Sequence, residues 1–515
     1  MNRIAIYLML ITILSKVTGF ARDIVVSYFY GVSSITDAYL ISLTIPDTIF
    51  AFIGTGIATS FIPIYNSLIE EKDGIAANRF TSNVINLILI ISTVITITVL
   101  VFTVPAIQLF ASGFKGETLK LTAQFVRFSI FTVYFSGLIY VFTAFLQLKN
   151  NYLGPALRII PYNVLIIISI ILSSKTDTIV LAIGNIFAFA VQFIFLLKLV
   201  SKERYRHGFT IDLNDTYLRE MLVLSIPVIL GVSINQLNIL VDKNIASRIM
   251  VGGISALSYS SRLNLFIQGI FVVPITTVMY PMISRMVVAK DEERLKKTIY
   301  SSINSVNLLL VPATFGAVLF SKQIVALLFG RGAFDSNAIV ITASALAFYS
   351  LGMVAVGIRD VLSKSFYAMK DTKTPVINTT IGVSLNIILN ILLSRYLGIG
   401  GLALATSISA FFTMGLMFMS LNKKLRVLGL KKMTIELMKI LLASSAMGVV
   451  SKLFFYNFMS NEFNQSLSLV FSIVIGAITY FILVYLMKVE EVRSMVAAIG
   501  KRFNIADMII KRVQK

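Results

Sequence analysis

The 515-residue sequence contains no cysteine, no tryptophan and a single histidine. Without cysteine there is no disulfide, no thiolate metal site and no cysteine nucleophile. The one imidazole, His207, sits in a basic polar stretch, so a histidine metal site is excluded and a His-based catalytic relay is not expected. Charge is scarce too. Only 13% of residues are Asp, Glu, Lys or Arg, about half the share in an average soluble chain. Hydrophobic residues make up 57%, and the mean hydropathy is +0.87. A soluble domain of this length cannot hide so much apolar surface. Runs of about 20 apolar residues, enough for a helical span, recur along the whole chain and leave no room for a large soluble domain. They are continuous rather than alternating, which selects helices over a β-barrel. The fold class expected is an all-α polytopic membrane protein with about 14 transmembrane helices.

The expected spans are 5–30, 35–66, 80–105, 118–147, 154–174, 177–199, 218–247, 253–284, 298–320, 335–365, 375–395, 400–422, 433–455 and 466–488. The net charge of +21 would suit nucleic acid, but its distribution argues otherwise. Lys and Arg cluster in short loops between apolar runs and form no patch on a soluble domain. With both termini and the even-numbered loops on one side, that side holds 29 of the 45 basic residues, the other side 8 and the spans 8. The positive-inside rule then places both termini in the cytoplasm. The N-terminus, Arg3 followed by an apolar run, resembles a signal peptide but lacks a small-residue cleavage site, so it reads as a retained first helix. The stretch 489–515 alternates apolar pairs with Arg and Lys, as either an amphipathic helix on the anionic inner leaflet or a solvated tail.

Landmarks recur at a near-constant offset. Pro63 and Asn86 match Pro281 and Asn304, with Lys72-Asp73 between the first pair and Lys290-Asp291 between the second. Phe110 near Gly113-Phe114 matches Phe329 near Gly332 and Phe334, and Pro155 matches Pro375. Each copy covers six spans, and an even number keeps both copies in the same orientation, related by an axis along the membrane normal. The organisation expected is a six-helix lobe over 1–205, a second over 206–425, two added helices over 426–490 and a cytoplasmic basic tail over 491–515.

Ionisable residues inside spans are costly and are functional candidates by default. Span 1 carries Lys16, Arg22 and Asp23, and span 2 carries Asp37 and Asp47. Arg127, Arg158, Asp242-Lys243, Arg262 and Arg359-Asp360 follow in spans 4, 5, 7, 8 and 10. An aqueous cavity lined with cations would explain them, and such a cavity suits an anion. Arginine stays ionised and presents a planar fork that matches phosphate oxygens, whereas an exporter of organic cations would favour acids. Arg22 and Asp23 are adjacent, so they point to different helix faces and need not pair. Asp37 lies near the outer end of its span, where an N-cap role competes with a substrate role. A second set is Asp242, Asn386, Asn390 and Thr406. Asn386 and Asn390 share a helix face, and these oxygens suit a hard cation such as Na⁺. Helix–helix hydrogen bonding is the alternative.

Several blocks together carry a family resemblance. Ser15-Lys16-Val17-Thr18-Gly19-Phe20-Ala21-Arg22-Asp23, Tyr30-Gly31, Thr36-Asp37-Ala38-Tyr39 and Ile45-Pro46 resemble the opening of the MurJ (MviN) lipid II flippases. Pro227 to Gly231, Ser258-Tyr259-Ser260-Ser261-Arg262-Leu263, Phe366-Tyr367-Ala368, Asp371-Thr372-Lys373-Thr374-Pro375 and Gly401-Leu402-Ala403 extend the likeness over nearly the whole chain. The resemblance implies the fold of the multidrug/oligosaccharidyl-lipid/polysaccharide exporter superfamily, with two six-helix lobes in a V, a cationic central cavity and a lipid-tail groove beside the last two helices. It also implies lipid II, an undecaprenyl pyrophosphate carrying a disaccharide-pentapeptide, as substrate. Arg22, Asp23, Asp37 and Arg262 match positions the family uses in or near the cavity, and Lys16 joins them as a candidate. One departure stands out: the family usually has an arginine shortly after the span 2 Pro-Asn, and here Pro46-Asp47 is followed by Phe50. The acid before the later glycine is also replaced, by Thr55. Either Arg127, Arg158 or Lys16 compensates, or the headgroup differs.

The function expected is therefore a lipid II flippase working by alternating access, as a monomer in the bilayer, with no nucleic-acid partner, no catalytic residues and no cofactor. No Walker A motif is present, so the membrane potential or a bound Na⁺ is the expected bias on the cycle. The rivals are a flippase for another polyprenyl-linked polysaccharide unit, a multidrug exporter, a transferase or hydrolase acting on a polyprenyl lipid, and a non-transporting scaffold.

Overall fold

The computed structural model describes residues 3–203, 205–209, 211–425, 430–459 and 465–493. Nearly all of the basic tail expected over 491–515 lies outside the described residues. The described residues form helices joined by turns and short loops, with no strand, and fall into two compact units. Unit 1 holds α1 (Arg3–Tyr30), α2 (Ser34–Glu71), α3 (Gly74–Val101), α4 (Thr103–Phe110), α5 (Gly116–Ser129), α6 (Thr132–Leu148), α7 (Leu153–Leu157), α8 (Ile159–Ser173), α9 (Ile179–Lys202) and α10 (Thr216–Ile249). It also takes the start of α11 (Gly253–Val288) as far as Tyr259, and the segment Phe329–Ile339. Unit 2 holds the rest of α11, then α12 (Glu292–Leu319), α13 (Ser321–Phe329) to Leu328, and α14 (Ser336–Leu351) from Val340. It continues through α15 (Met353–Ala368), α16 (Lys373–Leu397), α17 (Ile399–Leu425), α18 (Leu430–Met459) and α19 (Gln465–Leu486).

Ten helical segments, with α7 and α8 joined as one, are long and apolar enough to cross a bilayer, and thirteen are if each bent pair counts as one span. The bent pairs are α5–α6 at 42°, the two parts of α10 at 47° and α14–α15 at 44°. In α10 the break falls between Ile229 and Gly231, just after Pro227. Proline removes one helical N–H and clashes with the carbonyl four residues back, which accounts for the bend. Span ends differ from expectation by several residues. The expected span 80–105 is broken at Phe102, where α3 ends and α4 begins.

The surface, unlike that of a soluble protein, is rich in large apolar side chains, and the apolar core also holds many small polar ones. Exposed positions include Val94, Ile97, Phe187, Ile194, Ile388, Tyr396, Phe481 and Leu486, while many buried ones are Ser, Thr and Asn. Lipid solvates the apolar surface, so helices associate through small and polar side chains. Unit 1 is centred on aromatics: Phe61 stacks on Phe80 at 5.7 Å, and Tyr65 meets Phe145 edge-on at 5.8 Å. Unit 2 packs aliphatic side chains, among them Ile299, Val306, Met353, Val361 and Met417.

Two sequence blocks are local stitching. Gly31 ends α1 at φ +55°, and a Cβ there would strike the Ala333 carbonyl. Only glycine meets both conditions, and the join is closed by Ala333 N–H donating to Tyr28 O at 2.8 Å. The Asp371-to-Pro375 block caps α16. Asp371 accepts from Thr374 N (3.0 Å), the Thr374 hydroxyl (2.9 Å) and Lys424 Nζ (2.9 Å). Burial by itself would raise the Asp371 carboxyl, but these donors more than offset it and hold it below the usual carboxylate value.

Candidate functional site

The site begins with a polar stripe on α1. Ser15, Thr18, Gly19 and Arg22 recur at helical spacing and so share one face. That face meets Asn163 of α8. Asn163 Nδ2 donates to Thr18 Oγ1 at 3.1 Å and to Ser15 O at 3.4 Å, while its Oδ1 accepts from Arg22 Nη1 at 3.4 Å. Gly19 lies between them, and an added Cβ there would make only ordinary contact with Asn163 Nδ2, at 3.6 Å.

Arg22 and Asp23 do pair, although their adjacency on the helix does not require it. Arg22 Nε and Nη2 both reach Asp23 Oδ1, at 3.2 and 3.0 Å. Their Cβ vectors diverge, but the arginine side chain is long enough to turn back across its own helix. The pair is largely desolvated, with side chains 22% and 8% exposed. Arg22 therefore presents a guanidinium oriented from two sides, with Tyr39 of α2 and Tyr162 of α8 within reach of its field.

Opposite lies α2. Asp47 is exposed although protein surrounds it on nearly every side, which describes a carboxylate lining a concavity. The cations whose fields reach it are Lys243 and Arg22. Lys243 extends from α10 and donates to the Thr44 hydroxyl of α2. Phe50, where an arginine was expected, is fully buried and stacks on Tyr140 of α6, with ring centroids 6.0 Å apart. That position is part of the α2–α6 packing and carries no charge toward the concavity.

The other candidates are placed as follows. Asp37 is 1% exposed, and its two oxygens accept from Ser255 N (2.7 Å) and Gly252 N (2.8 Å), so it caps the start of α11. Arg158 stands where α7 meets α8 and donates to Thr143 Oγ1 at 2.9 Å. Arg127 is exposed beside exposed Phe128 and Phe131, and Lys16 is exposed on α1. Arg262 is partly buried on α11 within unit 2. Arg359 and Asp360 approach to 3.8 Å with both side chains substantially exposed.

Three of the four expected cation ligands meet within unit 2. Asn390 Nδ2 donates to Asn386 Oδ1 (2.9 Å), Asn386 Nδ2 to Thr406 Oγ1 (3.4 Å), and Thr406 Oγ1 to Leu402 O (3.0 Å). This chain joins α16 to α17. Asp242 belongs to unit 1. Among the described residues no group of three or more His, Cys, Asp and Glu side chains is placed to hold a metal ion.

Sequence reasoning missed Asn163 and counted Lys243 only among the intramembrane charges, with no partner named. Asn163 had a signal, an amide within an apolar span, which by the economics of the membrane must find a partner.

Comparison with known proteins places this geometry. The family model described as "Lipid II flippase MurJ" matches residues 26–489. The chain is similar to the probable lipid II flippase MurJ of Thermotoga maritima, 29% identical over 94% of this chain and 96% of the relative. It is similar to the lipid II flippase MurJ of Thermosipho africanus, 30% identical over 77% of this chain and 81% of the relative. Among solved structures, a lipid II flippase MurJ in an inward closed conformation superposes with a TM-score of 0.82 at 28% identity, covering 95% of this chain and all of that one. An inward-facing multidrug resistance MATE family transporter of the MOP superfamily shares the fold, with a TM-score of 0.69 at 17% identity over 82% of this chain and 98% of its own.

Proposed function

The chain belongs to the MurJ family of lipid II flippases, and we propose from this that it carries lipid II from the cytoplasmic to the outer leaflet by alternating access. The observation that carries the reading is Arg22, a guanidinium oriented by Asp23 and Asn163 in a membrane-embedded unit. Such a fork suits the oxygens of a diphosphate. Arg22 and Arg262 hold the headgroup, Asp23 orients Arg22, Asp37 braces the α10–α11 turn, and Lys16 adds a cation nearby. No bond is broken, so the protein supplies binding and a change of access, not acid–base chemistry.

The architecture proposed is fourteen spans, α1 included, with both termini in the cytoplasm of the bacterial inner membrane. Two parallel six-span repeats over 1–205 and 206–425 form the lobes of a V. The bends at α5–α6 and α14–α15 support the repeat, since they fall about one repeat length apart. Any cation that biases the cycle would be held by Asp242, Asn386, Asn390 and Thr406. The oxygens of these side chains are hard donors of the kind Na⁺ takes, and binding helps only by favouring one state over the other.

The polyprenyl tail is assigned to a groove in unit 2. A cavity of about 410 Å³ is lined by Phe271, Leu308, Pro312, Gly316, Met447 and Tyr480, among others. Pro312 has no N–H, so the Leu308 carbonyl loses its helical donor. The Tyr480 hydroxyl donates to it at 2.7 Å and ties α19 to α12 beside the groove. A cavity with these walls suits a hydrocarbon chain.

Two experiments test this reading. In a bacterium depleted of its own lipid II flippase, this protein is expected to restore lipid II on the outer face, measured by labelling of exposed lipid. Failure by protein that reaches the membrane in normal amount would sink the lipid II assignment. Gly316 faces open space within the groove, so Gly316→Leu should fold normally and improve helix propensity. It is expected to slow transport several-fold by narrowing the groove, and an unchanged rate would remove the tail from this cavity.

A further inference from the structure

We propose that Lys243 binds the substrate's diphosphate and gives the α2 face the positive charge that α2 itself lacks, with Asp47 holding its place until the anion arrives. This rests on the flippase reading above and names one further ligand within that site.

The 38 residues of α2 contain no Lys or Arg. Its two carboxylates in the apolar stretch have different fates. Asp37 is consumed by two backbone amides, while Asp47 lines a concavity with Lys243 and Arg22 as the cations acting on it. A carboxylate within a membrane helix requires a counter-charge. Here it comes from α1 on one side and α10 on the other.

Lys243 is positioned rather than free to wander. Its ammonium is anchored on Thr44, one turn before Asp47 on the same face of α2. The two helices are held close beneath it. Ser60 and Ser225 hydroxyls meet at 3.1 Å, and Gly56 leaves room for Ser225. An ammonium has three donors and no acceptor. With one on Thr44, two remain for an anion. Arg22 is oriented by Asp23 and Asn163 in the same unit. A diphosphate entering between Arg22 and Lys243 brings two or more negative charges and many acceptor oxygens. It replaces the single charge of Asp47 as their counterion, and Asp47 is displaced.

The test uses the full-length protein in two arms: outer-leaflet lipid II in flippase-depleted cells, and binding of undecaprenyl pyrophosphate to purified protein, read as a thermal shift. Lys243→Met is expected to weaken both by on the order of tenfold or more, the value of a hydrogen bond to a charged group. Lys243→Arg should retain most activity. The Thr44→Lys/Lys243→Thr double variant moves the ammonium to the other end of the same hydrogen bond and should recover binding and transport. Asp47→Asn should bind the diphosphate at least as tightly as the parent, because a competing anion is gone. Lys243→Met that binds and transports like the parent, at equal membrane level, would overturn the proposal. If that variant does not fold, the double variant decides: a folded double variant without diphosphate binding equally overturns it. A parent that binds undecaprenyl pyrophosphate without exposing lipid II would count against the flippase reading and leave Lys243 supported. A parent that shows no binding overturns the Lys243 assignment itself.

Discussion

Replacing Arg22 with alanine is expected to reduce outer-leaflet lipid II to the level of cells lacking the transporter. The guanidinium is oriented by both a carboxylate and an amide, through Asp23 at 3.0 Å and Asn163 at 3.4 Å. A hydrogen bond to a charged group contributes about 1.5–3 kcal/mol. Losing a two-pronged contact to phosphate therefore lowers binding by about a hundredfold or more. Arg22→Lys keeps the charge but cannot span Asp23, Asn163 and substrate with one compact ammonium, so an intermediate rate is expected. Asn163→Ala should fall between lysine and parent, because it loosens the fork without removing it. Removing Arg22 also leaves Asp23, 8% exposed, without its arginine, so membrane levels must be matched across variants. A folded Arg22→Ala protein with parental transport would displace Arg22 from the substrate.

The largest effect on stability is expected at Asp37. Its carboxylate closes the turn between α10 and α11 from the start of α2, taking the Gly252 and Ser255 amides at 2.8 and 2.7 Å in a fully buried setting. Asp37→Ala strands both amides. Each loses a charge-assisted bond, so the penalty is about 3 kcal/mol or more. In detergent this should appear as a drop of several degrees in the unfolding midpoint, with less protein in the membrane. Asp37→Asn keeps one acceptor but turns its NH₂ toward the second amide, and should lie between alanine and parent. An unchanged midpoint for Asp37→Ala would show that the turn does not depend on the cap.

Both positions show what can be read from the chain alone. The Ser15-to-Asp23 stripe was visible as charge and small polar residues within an apolar run, and it marked α1 as functional. That the stripe faces Asn163, 141 residues ahead of Arg22, depends on α1 packing against α8. Asp37 was recognisable as a helix-start residue, but the helix it caps is not its own. At Phe50 the residue type alone suggested a missing ligand. Its burial against Tyr140 shows that this part of α2 turns toward α6, and the cations whose fields reach the neighbouring Asp47 are Lys243 of α10 and Arg22 of α1. The proposed cation ligands divided similarly: Asn386 and Asn390 share a face by helical spacing alone, and they are joined to Thr406 only because α16 packs on α17.

The sequence by itself determined that this is a multi-span helical membrane protein, roughly where its helices run, and which spans carry charge. These depend on hydropathy, local hydrogen bonding and charge counts, which act over one span at a time. Tertiary structure alone decided which charges meet: Arg22 with Asn163, Asp37 with the start of α11, and Lys243 with Thr44. Partners of buried polar groups are chosen by helix packing between residues far apart in the chain. In lipid that choice is enforced, because an unmatched polar group has no water to turn to.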